Sequence, residues 1–152
     1  MKLKNSTVIQ LLSAIERLPA LKNAPKATYA LARNLTKLKP LRQDVWDTRQ
    51  KLFEEHFGLA PGQKYNDKYP LKFPDGVTTE LAQQLAEDHL RSHPKYPEVD
   101  TAFQKVLDMD SDFEPYSFPV EELNLEENSL SVVHLEMLLP LIRETPGKNG
   151  TP

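Results

Sequence analysis

Apolar residues recur at three- and four-residue steps near the start of the chain, from Asn5 to Leu18. This spacing places Val8, Leu11, Leu12, Ile15 and Leu18 on one face of a helix. Pro19 follows and cannot continue the helix, so the segment predicts a first amphipathic helix of about three to four turns.

The strongest pattern lies in residues 27–56, "ATYALARNLTKLKPLRQDVWDTRQKLFEEH". Leu31, Leu38, Val45 and Leu52 repeat at every seventh position, which predicts a long helix packed along one face. Pro40 removes a backbone donor in the middle of this pattern. Because the apolar phase continues across it, the sequence favours a kinked helix or a closely broken pair of helices.

The chain after the long helix predicts shorter elements, since ten of the thirteen prolines follow residue 60. "VTTELAQQLAEDHLRSH" and "VDTAFQKVLDM" are typical of helices, and "EPYSFPV" is typical of an edge strand. We expect this strand to pair with an extended piece near Tyr69 to Phe73. "NSLSVVHLEMLLPLIRE" predicts a last helix, with these residues directed inward: Leu130, Val133, Met137 and Leu141.

The predicted fold is mainly α, a helical domain with a kinked long central helix and a small two-stranded β patch. The number of apolar positions suits a single helical domain over residues 1–145. The last residues, 146–152, are rich in glycine and proline and predict a flexible C-terminal tail.

Three polar residues lie on or beside the apolar stripe of the long helix: Asn34, Thr48 and Arg49. Buried polar groups must be hydrogen-bonded, so we expect them to reach backbone carbonyls of irregular segments such as "EPYSFPVEEL". In this interpretation they are structural and attach the loop-rich half of the chain to the helix. The alternative is an oligomeric seam in which they specify the register.

Charge is distributed unevenly along the chain. Residues 1–42 hold nine basic residues and one acidic residue, a net charge of +8, and the remainder carries −11 because the total is −3. Such an asymmetry indicates either an anionic partner or complementary ends of one fold or of neighbouring subunits. Arg33, Lys37 and Arg42 form the candidate basic binding face. No aromatic or glycine-rich nucleic-acid motif accompanies them, so nucleic acid is the less favoured partner.

Candidate catalytic chemistry is sparse. The chain has no cysteine, and "DMDSDFEP" lacks the glycine and final acid of a calcium loop. His89 and His93 are four residues apart but lack the glutamate of a zinc-protease helix. The sequence therefore predicts no catalytic residue, no metal, no cofactor and no enzymatic activity. No apolar stretch has the length of a membrane span, so no membrane partner is expected either.

The segment "KATYALARNLTKLKPLRQDVWDTRQKLFEEHFG" and the closing "FEPYSFPVEELN...LSVVHLEMLLPLI" together resemble a group of small tailed-bacteriophage and prophage proteins of unassigned function. In that group a long helix of the type "Y-x-L-A-x-N...L...R-x-x-L" precedes an extended segment and a C-terminal leucine-rich helix. The matching residues are Tyr29, Leu31, Ala32, Asn34, Leu38, Arg49, Leu52, Leu123, Leu135 and Leu138. Pro40 departs from the pattern of a continuous helix.

The resemblance implies a non-enzymatic phage protein located in the virion or in the host cytoplasm. The first hypothesis is a virion structural or assembly accessory component that acts through protein–protein contacts with phage subunits, including homo-oligomeric ones. The second is a phage early protein that binds and inhibits a host enzyme or defence factor. A third hypothesis is nucleic-acid binding through the basic N-terminal part.

Overall fold

The computed structural model describes residues 2–143. Within this range the chain forms six α-helices and two short strands. The helices are α1 Asn5–Glu16, α2 Pro25–Phe57, α3 Tyr65–Lys68, α4 Thr79–Arg91, α5 Tyr96–Asp108 and α6 Val132–Leu138. The strands are β1 Phe118–Pro119 and β2 Ile142–Arg143, and the 3-10 helices are Val120–Leu123 and Leu139–Leu141.

The chain divides into two compact units. Of the described residues, the first unit, called the outer-sequence unit, comprises 2–43 and 109–143, and the second, called the middle-sequence unit, comprises 44–108. Helix α2 supplies residues to both.

The core of the outer-sequence unit is built from the predicted apolar face of α1 and the first part of α2. Val8, Leu11 and Leu12 are buried. They belong to one apolar cluster with residues that follow position 112 in the chain. The main members of this cluster from α2 and from later in the chain are Ala27, Ala30, Leu38, Phe113, Phe118, Leu123, Leu138 and Leu141. Burial of each leucine side chain stabilises the folded state by about 1.5–3 kcal/mol relative to leaving that side chain exposed. The first helix is therefore confirmed in position and in buried face.

The two strands belong to this unit and pair in parallel, with Phe118 opposite Ile142 and Pro119 opposite Arg143. The predicted strand at "EPYSFPV" is thus present, but its predicted pairing with Tyr69 to Phe73 is wrong. Leu141 and Phe118 are buried in the same cluster, and this burial brings residue 142 beside β1. The segment around Leu71 has no strand and is bounded by prolines, which cannot donate backbone hydrogen bonds.

The last helix is shorter than predicted, and its buried face differs. Helix α6 begins after Ser131, whose hydroxyl accepts a hydrogen bond from the His134 N–H at 3.1 Å, and it ends at Leu138. Pro140 then lies in a 3-10 helix, which changes the angular phase of the side chains. Leu138 and Leu141 are buried as a result, whereas Val133 and Met137 are exposed, contrary to the prediction.

The middle-sequence unit contains the end of α2 and helices α3, α4 and α5. Its core is aromatic, and its buried residues are Phe53, Phe57, Leu59, Tyr65 and Val99. Rings of Phe57 and Tyr65 meet edge to face with centroids 5.1 Å apart, an arrangement that adds to the energy of burial. The two predicted helices of this region are both present, and the Thr78 hydroxyl caps the first of them by accepting from the Leu81 N–H at 3.2 Å.

Helix α2 runs for 33 residues and includes Pro40 in its interior. The alternative of a closely broken pair of helices is therefore wrong. Pro40 itself is exposed, so its ring lies on the solvent side while Leu38 is buried.

The mainly α fold with a long central helix and a two-stranded patch is confirmed. The single domain over residues 1–145 stays a prediction. The predicted tail, 146–152, lies outside the described residues.

Candidate protein-binding surface

The side-chain amide of Asn34 holds the segment before β1 against helix α2. Its Nδ2 donates to the Tyr116 carbonyl at 2.9 Å, and its Oδ1 accepts from the Tyr116 N–H at 2.9 Å. Nδ2 also donates to the Ala30 carbonyl at 2.8 Å, and the residue is fully buried. Tyr116 belongs to "EPYSFPVEEL", the segment towards which the sequence directs Asn34. The amide thereby fixes where the Tyr116 ring emerges.

Around this point lies a surface that we call the tyrosine–arginine patch: Tyr29, Arg33 and Tyr116. The two tyrosine rings meet edge to face with centroids 5.9 Å apart. The guanidinium carbon of Arg33 lies 4.9 Å from the Tyr116 ring centroid and 5.9 Å from that of Tyr29. Tyr29 is 55% exposed and Tyr116 is 39% exposed, so the patch faces solvent.

Arg33 is positioned by contacts rather than left free. Its Nη1 donates to the Tyr29 hydroxyl at 3.2 Å. This hydrogen bond, with the electrostatic influence of the same tyrosine, raises the pKa of Arg33 above its ordinary value. Stacking on the rings restricts the rotamers of the long side chain. The guanidinium therefore presents a fixed charge and oriented donors at the surface.

Two lysines extend the patch along α2, because positions 26, 29, 33 and 37 are separated by three or four residues and share a helix face. The Nζ of Lys26 lies 3.6 Å from a carboxylate oxygen of Glu122. The Nζ of Lys37 donates to the Glu114 carbonyl at 3.4 Å. Both ammonium groups are exposed and weakly paired, so the patch and its flanks are cationic.

A hollow of about 410 Å³ opens beside the patch. The rings of Tyr29 and Tyr116 form part of its wall, together with Pro25, Phe118 and Pro119. The surface consequently combines aromatic rings, a positive rim and a concavity.

Arg42, the third residue of the predicted basic face, does not lie on that face. It follows Arg33 by nine residues, about two and a half helical turns, which places it on the opposite side of α2. Its guanidinium pairs with the Glu16 carboxylate of α1 at 3.1 Å. The predicted face is therefore reduced to Arg33 and Lys37, and Arg42 joins two helices of the outer-sequence unit.

Thr48 and Arg49 also differ from the prediction, because neither bonds an irregular segment. The Thr48 hydroxyl donates to the Asp44 carbonyl of its own helix at 2.8 Å, an acceptor one turn earlier that a β-branched side chain reaches readily. Arg49 lies over aromatic rings, with its guanidinium carbon 4.4 Å from the Phe53 centroid.

The sequence analysis did not assign Lys26 and Tyr29 to the basic face, although their helical spacing from Arg33 indicates that they share it. Tyr116 gave no such signal, because it is brought to the patch by a contact with a residue 82 positions earlier.

The two histidines considered as zinc ligands have structural partners. A ring nitrogen of His89 lies 3.2 Å from the Tyr69 carbonyl oxygen, and His93 packs edge to face on Phe57 with centroids 4.7 Å apart. Among residues 2–143, no group of three or more histidine, aspartate or glutamate side chains is arranged to hold a metal ion. Over the same range, no helix combines the length and apolar character that crossing a bilayer requires.

Comparison of the chain with protein-family models, curated proteins and solved structures gave no match. A function is therefore inferred from the surface around Arg33 and from the resemblance of the sequence.

Proposed function

We propose that this chain is a non-enzymatic bacteriophage protein, a structural or assembly accessory component of the virion, which uses the tyrosine–arginine patch to bind a neighbouring phage subunit. The phage origin rests on the sequence resemblance. The mode of action rests on one observation, the Arg33 guanidinium held on two exposed tyrosine rings.

The composition of the patch supports a protein partner. Tyrosine and arginine are enriched among the residues that dominate binding energy at protein interfaces. A side chain already held in its binding geometry loses less conformational entropy on association than a free one. Stacked Arg33 meets this condition, and the neighbouring hollow can receive an apolar side chain of the partner.

Charge supports an acidic partner surface. Arg33, Lys26 and Lys37 share one helix face, and an arginine fork binds a carboxylate through two parallel hydrogen bonds. A desolvated ion pair of Arg33 at the centre of the contact would fix the orientation of the partner. Lys26 and Lys37 at the rim would increase the rate at which the two proteins associate.

The test is incorporation into particles. The phage is produced with the wild-type chain, with Arg33→Glu or with Lys39→Glu, and purified particles are analysed by quantitative mass spectrometry. Lys39 is exposed on the same helix but lies about a third of a turn from Arg33, so it controls for charge reversal alone. We expect the wild-type chain and Lys39→Glu at a fixed copy number and Arg33→Glu at least tenfold depleted.

The possible outcomes separate the two parts of the proposal. Equal incorporation of Arg33→Glu would exclude the patch as the contact while keeping the virion role. Absence of the wild-type chain from particles would exclude the virion role and favour the early protein that binds a host factor. That protein should then be captured with one host partner in a complex that weakens as salt is added.

A further inference from the structure

Arg49 occupies an aromatic environment inside the middle-sequence unit. Its guanidinium carbon lies 4.4 Å from the ring centroid of Phe53, 5.7 Å from that of Phe103 and 5.8 Å from that of Trp46. The Trp46 and Phe103 rings are stacked with centroids 6.0 Å apart. Residues of α2 and α5 thus build a cage around one cation.

Within the described part of the chain, the charge of Arg49 is not held in an ion pair, although the Glu87 carboxylate is close enough to favour its charged form. Among the residues that the structure describes, Arg49 forms no hydrogen bond and no ion pair. Partial burial lowers the pKa of Arg49, since desolvation disfavours its charged form. The nearby Glu87 carboxylate is engaged with Arg91 one helical turn further on. A half-buried guanidinium in this state is stabilised by any anion that can reach it.

The N–H donors of Arg49 are open to a ligand, because none of them bonds another of the residues that the structure describes. They lie in the plane of the guanidinium, so a ligand that accepts from them approaches the edge of the group. A cavity of about 290 Å³ adjoins Arg49, and its wall includes the rings of Trp46, Phe53, Tyr96 and Phe103. Cavities that bind drug-sized ligands begin at about 300 Å³, so this one suits a ligand with a single ring.

We propose that this cavity binds a small organic monocarboxylate with a flat apolar body, such as benzoate. The carboxylate accepts two hydrogen bonds from the N–H edge of Arg49, and the ring packs among the aromatic side chains. The cavity wall also holds Asp100 and the ion pair of Glu87 with Arg91, so Arg49 is the cation left to balance the charge of a ligand and a monoanion is favoured over a dianion. This site is separate from the tyrosine–arginine patch and does not rest on the proposed function.

Trp46 makes the test specific, because it is the only tryptophan of the chain and it lies in the cavity wall. Its fluorescence, excited at the red edge of absorption, is followed while benzoate, phthalate or benzyl alcohol is added to the chain of residues 1–152. Benzoate carries one negative charge, phthalate two and benzyl alcohol none. We expect a saturable change with benzoate and affinities weaker by on the order of tenfold for the other two ligands.

Variants test whether the charge of Arg49 binds the carboxylate of benzoate. Arg49→Gln should weaken benzoate binding by on the order of tenfold or more, because the charged fork is lost. Arg49→Lys keeps the charge without the fork and should bind with intermediate affinity. Lys51→Gln removes an exposed charge two residues away and should bind benzoate as the wild type does. Far-UV circular dichroism verifies that each variant retains its helices.

A linear, non-saturating response, equal affinity for benzoate and benzyl alcohol, or undiminished benzoate binding by folded Arg49→Gln would each overturn the proposal. If Arg49→Gln fails to fold, the three ligands compared on the wild-type protein decide the question, since that comparison needs no variant.

Discussion

The side chain of Asn34 completes both backbone hydrogen bonds of Tyr116, donating to its carbonyl and accepting from its N–H. A residue on α2 thus replaces, for one residue, the neighbouring strand that would pair with an extended segment. This contact links the core of the outer-sequence unit to its exposed surface, since the Tyr116 ring belongs to the tyrosine–arginine patch.

The first prediction concerns this contact. Asn34→Ala removes the partner of the part-buried Tyr116 N–H and carbonyl, and we expect it to lower the free energy of unfolding by about 1–3 kcal/mol. Urea denaturation followed by circular dichroism measures the loss. Thr36→Ala is the control, because Thr36 is exposed and its hydroxyl bonds only the Ala32 carbonyl of its own helix. If the two variants are equally stable, the amide bridge is unimportant for stability.

The second prediction uses two adjacent leucines with opposite burial. Leu138 is 0% exposed and Leu139 is 60% exposed. Leu138→Ala should lower the free energy of unfolding by about 2–5 kcal/mol, because it removes buried methyl groups and leaves a cavity. Leu139→Ala should change it by less than about 0.5 kcal/mol. Denaturant titration of both variants tests the placement of α6, and the reverse order of stabilities would show that the helix has the other phase.

The third prediction concerns Pro40 in the interior of α2. Proline in a helix interior costs about 3 kcal/mol, and its restriction of the unfolded chain offsets about 0.4–1 kcal/mol of that cost. Because the helix around Pro40 can relax and lower the cost of the proline, Pro40→Ala should raise the free energy of unfolding by about 1–2 kcal/mol. Lys39→Ala, at an exposed neighbouring position, provides the reference in thermal or urea unfolding. A destabilised Pro40→Ala variant would mean that the helix depends on the geometry that proline imposes.

The fourth prediction concerns the alkaline limit of stability. Burial, aided by the charge of Tyr69, raises the pKa of Tyr65 above its ordinary value. Because the folded pKa exceeds the unfolded one, the stabilising contribution is complete below the unfolded pKa of about 10 and is lost as the pH rises through the folded pKa.

Tyr65→Phe cannot ionise, so its urea midpoint should fall less than that of the wild type between about pH 9 and about pH 11. The difference between the two urea midpoints near neutral pH measures the effect of removing the hydroxyl, independent of its ionisation. Parallel pH profiles of the two proteins would assign the alkaline transition to another group.

Local periodicity accounts for most of what the sequence predicted correctly. Val8, Leu11, Leu12 and Ile15 are all buried, because a helical repeat determines a face wherever the helix packs. The same reasoning failed where the repeat was interrupted. The 3-10 turn at Pro140 moved the buried face of the last helix from Val133 to Leu138.

Contacts between distant segments were beyond local reasoning. The pairing of β1 with β2 follows from shared burial of Phe118 and Leu141, which no sequence spacing reveals. The tyrosine–arginine patch was predicted only through Arg33, since Tyr116 reaches it by folding. Arg42 was assigned to the same face on the basis of its charge alone. Its angular position on the helix, opposite to Arg33, was not considered.

The division of the chain also bears on how the protein is made. The outer-sequence unit takes its residues from both ends, and the apolar face of α1 packs against α6. At about 5–20 residues per second, ribosomes complete α6 on the order of ten seconds after α1. The middle-sequence unit is continuous in the chain and can fold during that interval. Newly made α1, whose apolar face α6 has not yet covered, is therefore a segment that a chaperone can bind early.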